Sequence, residues 1–164
     1  MEPTSTGSAL SLELVKTWVT ECVKEHVTCN RRTYSVKSKL PTRLLCVDTP
    51  ENGTLSLCST HNLPQDTRYT TLSHCWGGSN AEILTLTTEN IDRFKTGILF
   101  DELARTFQHA IHVTRSIGIG YIWIDSLCIV QDSTQDWRKE SLLMRDVYSN
   151  SYCNIAATDA RNGR

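Results

Sequence analysis

Apolar residues recur at helical spacing in three segments of the chain, and each segment predicts an amphipathic helix. The first begins at Ser11, and its apolar face carries Val15, Trp18, Val19, Cys22, Val23 and His26. The second is marked by Leu103, Phe107, Ala110, Ile111, Thr114 and Ile117. Gly118 and Gly120 follow it and predict its end. The third predicted helix spans residues 136–149.

Short runs of apolar and β-branched residues between these helices predict strands. Leu44–Val47 and Leu55–Leu57 flank a predicted turn at residues 50–53 and so predict a small hairpin. Tyr69–Cys75 predicts a strand that runs into a loop at Gly77 and Gly78. Tyr121–Val130 is almost continuously apolar, as in a strand buried on both faces, and Tyr152–Ala157 predicts another buried strand.

The alternation of strands and helices is typical of an α/β domain, and it predicts a mainly parallel sheet flanked by helices. An N-terminal helix and the small hairpin precede this pattern. We therefore divide the chain into a flexible leader at residues 1–10, an N-terminal helix and connection at 11–39, and a domain core at 40–164.

Composition narrows the possible functions. The chain has 164 residues, of which 39% are apolar, and its 17 basic and 18 acidic side chains nearly cancel. This balance argues against binding to nucleic acid or to an anionic membrane through bulk charge. No apolar run approaches the roughly 20 residues of a membrane span. Seven cysteines without a visible secretory signal predict reduced thiols in a cytoplasmic protein.

Glu140 is an unusual position because it falls among the apolar residues of the third predicted helix. Trp137, Met144 and Tyr148 mark that side of the helix. A carboxylate there costs several kcal/mol unless it is paired or hydrogen-bonded. The open alternatives are a structural ion pair, a backbone cap and a functional site. Asp136 is a good predicted N-cap, so Glu140 is not needed in that role.

Polar residues also stand where two predicted strands end. Asp125 interrupts one apolar run, and the segment Ser73-His74-Cys75-Trp76-Gly77 closes another. Ligands of open α/β sheets bind beyond the carboxyl ends of the strands, so both segments are candidates for a binding site. The alternative for Asp125 is a turn cap. His74 and Cys75 are adjacent and should point to opposite faces of a strand, which disfavours a Cys–His nucleophilic pair.

Cys22, His26 and Cys29 have the i, i+4 and i+7 spacing of one helical face, and Cys58 and His61 are further possible ligands. Zinc prefers four Cys or His donors. The spacing matches no common zinc motif, and cysteines on an apolar face are ordinary core residues. We predict no metal site and keep zinc at the first three residues as the alternative. The chain also lacks a complete dinucleotide fingerprint and a P-loop.

Four blocks of the chain resemble the fungal heterokaryon-incompatibility (HET) domain. They are Tyr69-x-x-Leu72-Ser73-His74-Cys75-Trp76-Gly77, Phe107-x-x-Ala110-Ile111-x-Val113-Thr114-Arg115-x-x-Gly118, Tyr121 to Ile129 with Gln131-Asp132, and Asp136-Trp137-x-x-Glu140 with the stretch that follows to Thr158. The resemblance extends from about residue 15 to the end, and the usual Gly-Leu-Phe continuation is expected beyond Arg164.

This resemblance implies a role in non-self recognition, in which the activated domain drives regulated death of fused fungal cells. HET domains are similar to Toll/interleukin receptor (TIR) domains, which have a flavodoxin-like α/β fold. Some TIR domains cleave NAD with a glutamate in a Trp-x-x-Glu context. Trp137-x-x-Glu140 is similar, so we expect Glu140 to be the catalytic residue of an assembled NAD+ hydrolase.

The residues expected to bind this substrate are Ser73, His74, Trp76, Gly77, Trp123, Asp125 and Trp137. Arg43, Arg68 and Arg115 are expected local partners for its phosphates. No cofactor is expected beyond NAD+ itself as the substrate. Expected partners are further copies of the chain and a protein of non-self recognition. The alternative is a non-enzymatic death-signalling module that oligomerises and recruits partners, with Glu140 as a structural acid.

Overall fold

A computed structural model describes residues 5–29, 39–48, 53–77 and 83–158 of the chain. Residues 50–52 of the predicted turn, most of the predicted connection before residue 39, and Gly78 fall outside these ranges. No helix in the described part is both long enough and apolar enough to cross a membrane.

A five-stranded sheet lies at the centre of the fold. Its strands are β1 (Arg43–Cys46), β2 (Ser56–Ser59), β3 (Thr70–Ser73), β4 (Tyr121–Trp123) and β5 (Cys153–Ala156). The order across the sheet is β2-β1-β4-β3-β5. β1 is antiparallel to β2 and β4, whereas β3 is parallel to both β4 and β5.

The fold is α/β, but the predicted mainly parallel sheet is wrong, because two of the four strand pairings are antiparallel. The reason is the hairpin of β1 and β2, which the sequence correctly predicts. Its two strands are close in the chain and therefore pair antiparallel. β1 then pairs along its other edge with β4 and so brings the hairpin into the central sheet.

The helices of the described residues are α1 (Ala9–Glu25), α2 (Ile91–Thr96), α3 (Arg105–Ser116), α4 (Asp125–Cys128) and α5 (Thr134–Asn150), with short 3-10 helices at Thr60–Asn62 and Phe100–Glu102. The three helices predicted from periodicity are thus confirmed as α1, α3 and α5. α3 ends before Gly118, whose φ of 77° lies in the left-handed region that favours glycine.

The N-cap of α5 differs from the prediction. Ser133 precedes the helix, and its side chain accepts a hydrogen bond from the amide of Asp136. Asp136 therefore lies in the first turn, where its negative charge interacts favourably with the helix dipole. The predicted N-cap role of Asp136 is wrong, and its carboxylate is available for other partners.

The long strand predicted at Tyr121–Val130 is also wrong. β4 ends at Trp123, and the chain turns at once into α4. The Asp125 carboxylate accepts the Ser126 amide at 2.7 Å, which stabilises this turn. The residues that follow are buried as α4 and its continuation, so their apolar character reflects burial and not strand structure.

β5 is an edge strand of the sheet, not the buried strand that its apolar residues predict. Its side chains alternate between half-buried and exposed. The core lies instead beneath the central strands and α3. Its largest fully buried side chains include Leu44, Leu45, Tyr69, Leu72, Phe94, Phe107, Ile111, Ile122 and Trp123.

Candidate functional site

The parallel pairing of β3 and β4 brings their carboxyl ends to one edge of the sheet. His74 and Trp76 follow β3, and Asp125 follows β4. The indole Nε1 of Trp76 donates a hydrogen bond to Asp125 Oδ2 at 2.8 Å. His74 Nδ1 lies 3.7 Å from Asp125 Oδ1. His74, Trp76 and Asp125 together are called the carboxyl-edge site below.

His74 forms the floor of this site. Its side chain is 1% exposed and packs edge-on against Phe107, with ring centroids 4.9 Å apart. The Trp76 ring lies nearly parallel to it at 6.3 Å. Neither ring nitrogen of His74 has a hydrogen-bond partner within the described residues. Burial lowers the pKa of His74, and the nearby Asp125 carboxylate only partly opposes this effect.

This lowered pKa predicts that the fold loses stability in mild acid. The unfolded chain binds a proton at His74 near pH 6.5, whereas the folded chain binds it only at lower pH, so acidification favours unfolding. The groups facing His74 are Asp125, Trp76 and Phe107. We expect the free energy of unfolding to fall between about pH 7.5 and pH 5.5 in urea titrations.

Substituting the buried histidine tests this assignment. In His74→Leu the loss of stability over the same pH range should be smaller than in the wild type. The matched control is His109→Gln, which alters an exposed histidine on α3, and it should keep the wild-type pH dependence. Equal pH dependence in His74→Leu and the wild type would contradict the assignment.

Asp125 and Trp76 form the accessible part of the carboxyl-edge site. The Asp125 side chain is 19% exposed and the Trp76 residue 39%. The backbone oxygen of Asp125 accepts a hydrogen bond from Gln131 Nε2 at 3.0 Å, which fixes the turn that presents the carboxylate. The result is an anionic group held beside a partly exposed aromatic ring.

Other residues complete this edge. The hydroxyl of Ser73 donates to Asn154 Oδ1 at 3.1 Å, which links β3 to β5. The Tyr148 hydroxyl donates to the backbone oxygen of Leu72 at 3.4 Å. Burial raises the pKa of Tyr148, as does the Asp125 charge, although a hydrogen bond with Ser73 opposes them. Tyr148 therefore stays a neutral donor near the site.

Glu140 lies on the inward face of α5, as the sequence predicts, and is 1% exposed. Its Oε1 atom is 4.0 Å from Arg43 Nη2 and 3.8 Å from Lys139 Nζ. The same oxygen has no hydrogen-bond partner within the described residues. Glu140 is thus a buried acid in a loose ion pair, which agrees with the structural alternative. Its predicted catalytic role stays a prediction.

Arg43 is the cation that lies between Asp136 and Glu140. It is the first residue of β1, and the antiparallel pairing with β4 puts it near the carboxyl end of β4. Its Nη2 atom pairs with Asp136, and its Nε donates to the Cys128 backbone oxygen at 2.7 Å. Burial would raise the pKa of Asp136, but Arg43 and the Val130 amide hold it below its usual value.

The remaining predicted residues are spread over the molecule. Trp123 is buried against Tyr148, with ring centroids 5.5 Å apart, so its ring is not at the surface. Trp137 is 52% exposed on α5. Gly77 has a φ of 81° and ends the described part of the loop after β3.

Arg68 and Arg115 lie at the opposite edge of the sheet from the carboxyl-edge site. Arg68 precedes β3 and its guanidinium stacks over Tyr152, 5.1 Å from the ring centroid. The Nε atom of Arg115 donates to the Val47 backbone oxygen at 2.8 Å. Of the three arginines expected to bind phosphate, the structure thus puts only Arg43 at the edge with Asp125.

Tyr148 and Asn154 are residues near the site that sequence reasoning missed. Asn154 interrupts the apolar segment of β5 with a polar side chain, and this interruption was an available signal. Tyr148 looks like an ordinary member of the apolar face of α5. Its position beneath Asp125 depends on tertiary packing and has no local signal.

The side chains of Cys22, His26 and Cys29 come together at the end of α1. Their ligand atoms all lie within 4.8 Å of one another. The Cys22 and Cys29 sulfurs are 3.4 Å apart, and Cys22 Sγ is 3.4 Å from His26 Nδ1. Among the described residues this is the cluster suited to hold a metal ion.

Comparison with known proteins identifies the family. Neither the curated proteins nor the solved structures contain a match to this chain. The family model described as heterokaryon incompatibility protein (HET) matches residues 69–164, which is more than half of the chain. The match begins at the residue before β3 and includes His74, Trp76, Asp125 and Glu140. The chain therefore belongs to the heterokaryon incompatibility (HET) family.

Proposed function

We propose that this chain acts in heterokaryon incompatibility by cleaving the nicotinamide–ribose bond of NAD+ at the carboxyl-edge site. Membership of the HET family supports the role in incompatibility and the associated cell death. The observation that carries the enzymatic part is the hydrogen bond between the partly exposed Trp76 ring and the Asp125 carboxylate, at the edge where parallel strands end. Ligands of α/β sheets commonly bind at such an edge.

The chemistry needs a carboxylate beside the ribose. As the nicotinamide–ribose bond breaks, nicotinamide leaves with the bonding electron pair and positive charge develops on the ribose. A fixed anion stabilises that charge, which lowers the barrier. Water then adds to the ribose carbon and loses a proton, so the products are nicotinamide, ADP-ribose and one proton.

In this proposal Asp125 is the catalytic carboxylate. It is partly exposed, and its orientation is fixed by the Ser126 amide and the Trp76 indole. Glu140, the catalytic residue predicted from the resemblance, is buried and faces Arg43. It could reach a substrate only after that ion pair opened. Trp76 stacks on the nicotinamide or adenine ring, and the neutral His74 ring supports Trp76 from below.

Release of nicotinamide from NAD+ by the purified chain tests this function. Because we expect assembly to promote activity, turnover per chain should rise with protein concentration. Trp76→Ala should raise KM about tenfold, since stacking of a base on an aromatic ring contributes about 1–3 kcal/mol. Trp18→Ala, which removes an exposed tryptophan from α1, is the matched control and should leave KM unchanged. No nicotinamide at any concentration would refute the enzymatic proposal.

A second candidate is a non-enzymatic module that signals by self-association. The observation that favours it is the exposure of large apolar side chains on α5, namely Trp137 and Leu142. Exposed apolar side chains contribute to an interface when a partner chain covers them. This candidate predicts no nicotinamide release, together with self-association in sedimentation experiments that Leu142→Ser weakens.

A further inference from the structure

Few apolar contacts hold helix α1 to the rest of the domain. Leu12 is its one buried residue, and Leu10, Leu14 and Trp18 are exposed. The periodic face that predicts this helix therefore does not enter the core. A cleft of about 410 Å³ separates the second half of the helix from β5 and the loop before β3. Within the described residues, core packing contributes little to holding this end of α1.

The cysteine and histidine side chains of α1 and the residues after it have the dimensions of a zinc site. With Zn–S bonds of about 2.3 Å and Zn–N bonds of about 2.0–2.1 Å, tetrahedral ligands are about 3.8 Å apart for two sulfurs and about 3.6 Å apart for sulfur and nitrogen. The corresponding distances from Cys22 Sγ are 3.4 Å to Cys29 Sγ and 3.4 Å to His26 Nδ1. Both distances are a few tenths of an ångström too short, so a small outward shift of the side chains would admit the ion.

The donor atoms of the three side chains also favour zinc. Two thiols and one imidazole are borderline-soft donors, which favour zinc over magnesium or calcium. All three residues are partly exposed, so the ion and the released thiol protons have access to solvent. Cysteines that served only as core residues would be buried, and these are not.

We propose that Cys22, His26 and Cys29 bind one zinc ion, and that Cys153 supplies the fourth ligand from across the cleft. Cys153 is the first residue of β5 and lines the same cleft as Cys22 and Cys29. Its thiol has the same donor chemistry as Cys22 and Cys29, but its sulfur lies outside the group of ligand atoms within 4.8 Å of one another, so the end of α1 has to move toward β5 for Cys153 to bind. The ion would then connect α1 directly to the edge strand of the sheet, in place of an apolar interface.

Zinc content measured by mass spectrometry tests the site. The full chain, purified under reducing conditions from zinc-supplemented cells, should contain one zinc ion per molecule. Cys22→Ser and His26→Ala should each reduce this content at least about tenfold, because a three-ligand remnant binds the ion far less tightly. Cys46→Ser is the matched control, since Cys46 lies in β1 away from the cluster, and it should retain the metal.

Cobalt titration of the metal-free wild-type chain tests the site itself without any variant, and the same titration of Cys153→Ser tests the fourth ligand. Tetrahedral cobalt with thiolate ligands should give a charge-transfer band, and this band should be weaker in Cys153→Ser. An unchanged band would overturn the assignment of Cys153. The absence of both zinc and the cobalt band from the reduced wild type, or a Cys22–Cys29 disulfide in freshly isolated protein, would overturn the site.

Metal removal also has a predicted structural effect. Chelation should speed proteolysis within α1 about tenfold or more, because the helix then opens locally without unfolding the domain. Proteolysis within α3, which carries four buried residues, should change much less. Equal rates of cleavage in α1 with and without zinc would contradict the proposed structural role of the ion.

Discussion

Arg43→Met is expected to lower the free energy of unfolding by about 3–5 kcal/mol, because it removes the cation that pairs with Asp136 and leaves the buried Glu140 facing only the largely exposed Lys139 among the described residues. Arg43 lies between Asp136 and Glu140, and its Nε also satisfies the Cys128 backbone oxygen. Methionine matches the aliphatic stem of arginine, so the variant removes the charge and the hydrogen bonds while it fills part of the space. Urea unfolding at neutral pH measures the change.

Two controls separate the effect of removing a buried charge from the general effect of losing an arginine on the free energy of unfolding. Arg93→Met removes an exposed pair with Glu102, whose N···O distance is 2.7 Å, and it should cost less than about 1 kcal/mol. The double variant Arg43→Met with Glu140→Gln should recover part of the lost stability, because the buried side chain at position 140 then no longer needs the Arg43 cation. If Arg43→Met lowers the free energy of unfolding no more than Arg93→Met does, the structural role of the Arg43 ion pairs is refuted.

Asp125→Asn is expected to reduce the turnover of NAD+ by about a hundredfold to a thousandfold, the usual cost of removing a group that stabilises transition-state charge. Asparagine keeps only one acceptor oxygen, so it retains one of the hydrogen bonds that Trp76 and Ser126 donate to the two carboxylate oxygens and loses the other. The thermal midpoint should therefore fall modestly, and turnover is compared per folded molecule. Nicotinamide release at saturating NAD+ measures the effect. Asp92→Asn, at an exposed carboxylate on α2, is the matched control and should keep full activity.

Comparison of Asp125→Asn with Glu140→Gln decides which of the two carboxylates is catalytic. If Asp125 is the catalytic group, Glu140→Gln lowers stability but keeps turnover per folded molecule. If Glu140→Gln abolishes turnover and Asp125→Asn does not, Glu140 is the catalytic residue, as the resemblance to Trp-x-x-Glu sites implies. That outcome would require the pair of Glu140 with Arg43 to open during the reaction.

Local periodicity was sufficient to predict the long helices and the burial of Glu140, because both depend on which face of a helix is apolar. It was not sufficient for α4. A buried helical turn and a buried strand have the same apolar composition, and the side-chain hydrogen bond of Asp125 decides between them. The mixed sheet was missed for a different reason, since the pairing of β1 with β4 is a long-range contact.

The carboxyl-edge site was largely predictable, because residues that follow neighbouring parallel strands meet at one edge. The sequence alone did not predict which groups are accessible there. Trp123 precedes Asp125 by two positions, yet its ring is buried while Asp125 is partly exposed. The sequence also did not predict that Glu140 pairs with Arg43, because Arg43 lies on a strand that is distant in the chain and was expected to bind phosphate.

The indole N–H resonances of the tryptophans test directly whether a ligand binds where Trp76 and Asp125 meet. These resonances can be assigned with single Trp→Phe variants and followed during titration with a carbocyclic NAD+ analogue that cannot release nicotinamide. We expect the Trp76 resonance to shift, because its N–H donates to Asp125, whereas those of Trp18 and Trp137 should stay in place. An unchanged Trp76 resonance at millimolar analogue would refute binding at the carboxyl-edge site.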